Sequence, residues 1–221
     1  MRMSPKWWLV LLLLPFPLIG VIDSWQKAVA YVVLVTVVAG VSSLMRHGML
    51  AQLEQWATVA EWTPVEATER EWPWQSPRHV KVKRAWTREI DGLSVTFGLV
   101  GWESDALAGS VRKQTGSGTF VVVRLPHTQP SMALSPSGDI VGDSPRAHQP
   151  ELLQAFQRKD IRAWTVRGDE LFTIEPTGLP NPYHVKRIVR RALLAVRLLD
   201  LGPDLHPGPD TTTSIAPGLD E

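Results

Sequence analysis

Thr119–Leu125 reads Thr-Phe-Val-Val-Val-Arg-Leu and is bounded by Gly118 and Pro126. An apolar run this short, stopped by glycine and proline, predicts a central strand buried on both faces. Such a strand needs neighbours at its edges and cover above and below. Upstream, Leu93–Gly101 places Leu93, Val95, Phe97 and Leu99 on one face, and Asp91-Gly92 joins it to an alternating stretch, His79–Ile90. Two alternating runs around Asp-Gly predict a β-hairpin. Ser104–Gly118 is polar and reads as a loop, and the proline-rich stretch 127–150 leaves room for short strands at Met132–Ser135 and Asp139–Val141. A short helix is expected over Glu151–Gln157. Ala163–Val166 and Leu171–Glu175 flank Arg167-Gly168-Asp169-Glu170, which reads as a second hairpin turn.

The cover comes from the last helix. Asn181 is an N-cap residue and Pro182 suits the first helical position, while Gly202 reads as the residue that ends the helix after Leu201. Val185, Ile188, Val189, Ala192, Val196 and Leu199 share one arc, and Lys186, Arg187, Arg190, Arg191 and Arg197 take the other side. The expected fold class is α+β: a small antiparallel-sheet domain over residues 79–202, covered by a C-terminal amphipathic helix.

The first fifth of the chain has a different character. Trp7–Ile22 and Ala28–Met45 carry no charged residue. A membrane-crossing helix takes about 20 apolar residues, so residues 1–46 are expected to form a transmembrane helical hairpin with spans at about 7–22 and 28–45. Trp7, Trp8 and Trp25 fall where interfacial aromatics belong. A cleaved signal peptide is the competing reading of the first segment, but no small-x-small site follows it. Arg2, Lys6 and Arg46 against Lys27 alone predict both termini, and the domain, on the cytoplasmic side of the plasma membrane.

Residues 47–78 connect the two parts as a juxtamembrane helix and a Pro/Glu-rich linker. Met49, Leu50, Leu53, Trp56 and Ala60 recur at helical spacing, and no Lys or Arg follows Arg46 in that helix. Packing on the domain or a partner is favoured over lying on lipid, which selects a basic polar face. Trp72-Pro73-Trp74 is expected to pack locally onto the domain. Pro203–Glu221 carries four acids with no Lys or Arg, and its composition predicts a disordered acidic tail.

The run Phe120–Pro126, followed by Pro130, Leu134 and Pro136, together with Trp164–Leu171, resembles uncharacterised membrane-anchored proteins of high-GC Gram-positive bacteria. These have a small α+β domain with a Val-Val-Val-Val-Arg-Leu-Pro type strand. The resemblance implies a membrane anchor and this domain; the group has no assigned activity, so it implies no catalytic residue.

The chain holds no cysteine and carries a net charge of +1. Thiol chemistry, disulfides and cysteine metal sites are excluded, and nothing is basic enough to call for nucleic acid. The six histidines lack ligand spacing, so neither a metal nor a cofactor is expected. Gly142-Asp143-Ser144 and Asp204-Leu205-His206-Pro207 are similar to two blocks of Ser-Gly-Asn-His hydrolases, but the oxyanion blocks between them are missing. No catalytic residue is assigned on that basis, and an unrecognised hydrolase-like site is the alternative. The basic face of Lys186, Arg187, Arg190, Arg191 and Arg197 remains as the candidate contact for lipid headgroups or a partner. Each cation close to an anionic bilayer contributes about 1 kcal/mol. The expected role is a membrane-anchored interaction or accessory module, with the bilayer and another membrane or cytoplasmic protein as partners.

Overall fold

The computed structural model describes residues 25–68, 70–74, 79–103, 107, 111, 115–177 and 180–203, with the side chains of 26–28, 30 and 42–47 also outside the description. Helix α1 spans Trp25–Val59, followed by β1 (Thr63–Val65), β2 (Val80–Ile90), β3 (Leu93–Trp102), β4 (Gly116–Leu134) and β5 (Ile140–Val141). A 3-10 turn at Pro145–His148, α2 (Pro150–Gln157), β6 (Trp164–Pro176) and α3 (Pro182–Leu198) complete the order. The six strands form one antiparallel sheet in the order β1-β2-β3-β4, with β6 and β5 also paired to β4.

Alternation of side chains along β4 divides the interior. Val121, Val123 and Leu125 point to one face, where α3, α2 and the end of α1 pack; Phe120 and Val122 point to the other. The second face is covered by Trp74, Leu107 and Val111, with Trp72 partly buried against it. Trp72 and Trp74 stack at 6.0 Å and both meet Phe120 edge-on. Arg70 fixes this segment by donating to Thr96 Oγ1 and to Glu170. The Asp91-Gly92 hairpin is as the sequence predicts: both residues have positive φ, and Ile90 pairs with Leu93. That pattern is the two-residue turn whose twist matches the strands.

Three sequence expectations are corrected. First, the strand does not stop at Pro126. β4 continues to Leu134, because its pairing with β3 ends at Val123 and its ladder with β6 is interrupted between Arg124 and Gln129 and again between Gln129 and Met132. Pro126 and Pro130 occupy those interruptions, where a missing N–H costs no ladder bond. Second, residues 167–170 are not a hairpin turn. β6 runs through them, and Gly168, at φ 61°, lies opposite Gln129 between the two register shifts of the β4–β6 ladder. A bulge glycine and a turn glycine look alike in sequence. Third, the sheet domain begins before residue 79. Leu53 and Ala57 of α1 are fully buried in the core, Trp62 is buried against Phe97, and β1 pairs with β2 at Thr63↔Thr87. Within the stretch expected to be a linker, residues 63–65 pair with β2, and Trp72 and Trp74 pack on the sheet as expected.

The helix ends share a device. Glu61, Lys159 and Asp200 each take a left-handed conformation, and the next residue's N–H bonds back to Ala57, Ala155 and Val196 respectively. These are Schellman closures made without glycine. The end of α3 is therefore set by Asp200, two residues before Gly202.

Of the two expected spans, residues 7–22 lie outside the described residues, as do residues 204–221 of the expected tail. The second, 28–45, falls within α1. Among the described residues no helix is long and apolar enough to cross a membrane. The described side chains of Val29, Val32, Val33, Leu34, Val37, Val38 and Val41 on α1 are apolar and exposed.

Candidate functional site

α3 is placed by its cap and by its apolar arc. Asn181 Oδ1 accepts from the His184 N–H at 2.7 Å, and Pro182 fills the first helical position. Val185, Ile188, Ala192, Val196 and Leu199 are buried on the sheet. The five cations expected on the opposite side do not behave alike. Lys186, Arg190 and Arg197 are exposed, Arg187 is half-buried and Arg191 turns inward.

Arg191 donates to Glu175 Oε1 at 2.9 Å and to the Lys159 carbonyl at 2.9 Å. Its side chain is 16% exposed and that of Glu175 is 11% exposed. This arginine therefore clamps the end of β6 and the turn after α2 against α3, which corrects its expected place on the solvated face. The sequence pattern misplaced it because it lies at the edge of the apolar arc, and its partner, Glu175, ends a strand that otherwise reads as apolar.

Glu175 is the acidic centre of a cationic cluster. Arg162 stands 3.7 Å from it, Arg187 3.9 Å and His184 Nε2 3.9 Å. Arg187 Nη2 lies 2.8 Å from His184 Nδ1. A guanidinium can only donate, so Nδ1 accepts and the imidazole in this arrangement is neutral, with its proton on Nε2. Burial holds the His184 pKa below its ordinary value; Glu175 pulls the other way, and Arg187 and Arg191 add to the lowering. Neither Glu175 nor His184 was singled out by sequence reading. The signal for His184 was its place in the first turn of a basic helix, three residues after the cap.

Beside this cluster the outer face of α3 forms one side of an open groove of about 460 Å³. Arg187, Arg190, Arg191 and Arg197 line it from α3, and Lys159 and Asp160 line it from the turn after α2. Asp91 of the β2–β3 turn and the apolar Leu193 and Leu194 of α3 complete the lining. With Arg191 neutralised by Glu175, Lys159, Arg187, Arg190 and Arg197 against Asp91 and Asp160 leave the groove positive. Its chemistry is that of an anion site, in which several guanidinium forks can bind carboxylates or phosphates. Lys186 lies outside the groove, 5.9 Å over the Trp56 ring of α1.

Gly142-Asp143-Ser144 does not assemble into a nucleophile site within the described residues. Ser144 caps the 3-10 turn through its backbone, with Ala147 N–H bonding to its carbonyl, and Gly142 has φ 105° against the backbone of Ser131 and Met132. Residues 204–207, the other half of that pattern, lie outside the described residues. Among the described residues no group of three or more His, Asp or Glu is placed to hold a metal ion.

Comparison with protein-family models, with curated proteins and with solved structures returns no match. The residues of α3, β6 and the α2 turn are thus read on their own geometry.

Proposed function

We propose that this chain is a membrane-anchored accessory module, whose α+β domain stands on the cytoplasmic side and presents the α3 groove to an anionic partner protein. The observation that carries the reading is the exposure of seven large apolar side chains, Val29 to Val41, on a helix whose other end is built into a well-packed core. Moving them from water to hydrocarbon is favourable by on the order of 10 kcal/mol in total, at about 1.5–3 kcal/mol for each side chain fully transferred. The positive-inside bias of Arg2, Lys6 and Arg46 supports the cytoplasmic side.

α1 is 35 residues long and about 52 Å from end to end at 1.5 Å per residue. It follows β2 in the same direction, since Glu54 pairs with Arg84 and Glu61 with Arg88. The start of β2 is therefore nearest the apolar half of α1, and the Asp91-Gly92 turn is farthest. Arg197 and Asp91 share one groove. On this reading Arg197 lies about 20 Å beyond the level of Arg84, at about 3.3 Å per strand residue. A Debye length is about 8 Å at physiological salt. The far half of the groove is then out of reach of lipid headgroups, and a protein carrying acids or phosphates is the occupant that fits. Headgroup contact belongs to the membrane-near end, where Lys81, Lys83 and Arg84 are exposed.

The test is fractionation of cells expressing the full chain. The wild type should stay with membranes after alkaline carbonate and leave with detergent. The Val33→Asp/Val37→Asp variant should shift to the soluble fraction, because an aspartate at a span's centre costs about 2.5–3.5 kcal/mol. Release of the wild type by carbonate alone contradicts the anchor.

A further inference from the structure

We propose that the α3 groove is occupied in the resting chain by the chain's own acidic C-terminal segment, residues 204–221, which a partner must displace. The inference rests on the groove's reading as an anion site and not on the membrane anchor.

Two observations point to this occupant. The first is where the described chain ends. After α3 closes at Asp200, Leu201 is buried and the Pro203 ring packs beside Gly92. Gly92 follows Asp91, which lines the groove, so the described chain ends at Pro203 next to the turn that lines the groove. The second is charge. The segment carries Asp204, Asp210, Asp220 and Glu221 and no Lys or Arg, against the cations of the groove. Its first acid follows Pro203 directly. From Arg197 to Arg190 the groove extends about 10 Å along α3, at 1.5 Å per residue. The seven residues Asp204 to Asp210, when extended, cover that distance with slack. Its prolines at 207 and 209 also restrict the free chain, which lowers the entropy lost on docking.

Tethering makes a weak contact sufficient. A segment that binds as a free peptide with a dissociation constant of about 0.1 mM, held at an effective concentration of about 1 mM, occupies its site about nine-tenths of the time. An external anion then binds the intact chain about tenfold more weakly than a chain whose segment cannot dock.

The experiment uses the full chain in detergent and a variant with Asp204→Asn, Asp210→Asn, Asp220→Asn and Glu221→Gln. The probes are a fluorescein-labelled peptide of residues 204–221, followed by anisotropy, and inorganic tripolyphosphate as its competitor. The expected result is about tenfold tighter peptide binding to the neutralised chain. That binding should be lost on adding the groove changes Arg190→Gln and Arg197→Gln, and in 0.5 M salt. Equal peptide binding to both chains overturns the inference. Competition by tripolyphosphate that depends on Arg190 and Arg197 and is equal in both chains, without peptide binding, also overturns it while leaving the anion site standing. Binding of neither probe overturns both. Self-association of the wild type that the neutralised chain lacks would mean that the segment fills the groove of a second copy, which contradicts an intramolecular contact.

Discussion

Arg191 and Glu175 meet at 2.9 Å where α3 crosses the end of β6, and the same guanidinium holds the carbonyl of Lys159 in the turn after α2. One side chain thus ties three elements together from within a helix face that is otherwise basic and solvated.

Arg191→Glu is expected to destabilise the domain by about 3 kcal/mol, the usual cost of breaking a largely buried pair, because Glu175 would then face a like charge. Arg190→Glu and Arg197→Glu should each change stability by under about 0.5 kcal/mol, since neither forms an ion pair within the described residues and both are exposed. Urea denaturation of the three variants separates them. Equal effects at all three positions would mean that the Arg191 clamp does not form.

The folded unit starts within α1. A fragment of residues 79–203 lacks Leu53, Ala57, Trp62, Trp72 and Trp74, which cover Phe97 on one face and Phe120 on the other. It should show no cooperative thermal transition, whereas residues 49–203 should show one by circular dichroism. A cooperative 79–203 fragment would contradict the packing of α1 against the sheet.

His184 gives the domain an acid sensitivity of definite sign. Its folded-state pKa lies below the ordinary 6.5, so the unfolded chain takes up the proton first as the pH falls. Stability should therefore decline below about pH 6.5, down to the pH at which the folded imidazole also protonates. Protonation at Nδ1 also removes the acceptor used by Arg187. His184→Gln should flatten this part of the stability–pH curve, measured by chemical denaturation between pH 7.5 and 5. An unchanged slope would place the sensitivity elsewhere.

Gly98 is required by a neighbour and not by its own φ. A Cβ there would stand 2.6 Å from the Phe120 ring and 2.3 Å from the Arg84 carbonyl. Gly98→Ala is expected to cost about 1–3 kcal/mol by overpacking, with a matching fall in denaturation midpoint. A neutral result would mean that the Phe120 ring does not stand against Gly98.

The parts of the fold legible in sequence were those with a local signal. The Val121–Val123 run, the Asp91-Gly92 turn and the Asn181-Pro182 cap each specify their own conformation through burial pattern, left-handed φ or capping chemistry. The continuation of β4 and β6 through their register shifts was not legible, because Pro126, Pro130 and Gly168 are stop signals in isolation and become bulge positions only when the two strands pair on both sides of them. The helix ends were obscured for a related reason. Glu61, Lys159 and Asp200 take the left-handed position that sequence reading reserves for glycine, held there by the packing of Trp62, Ile161 and Leu201 just beyond. In the groove, the basic residues were legible from helical spacing alone. The inward turn of Arg191 depended on Glu175, sixteen positions away in a different element.

The most direct measurement of the membrane-anchor reading uses the absence of cysteine in the chain, which makes any introduced thiol unique. Val37→Cys and Gln52→Cys variants of the full chain, labelled with bimane and reconstituted into vesicles containing brominated lipid, report the depth of two positions on α1. Both positions are exposed on the helix and are separated by about 22 Å along it, at 1.5 Å per residue. Strong quenching at position 37 with little at position 52 is the predicted result. Equal and weak quenching at both positions would contradict the account, because α1 would then lie outside the hydrocarbon.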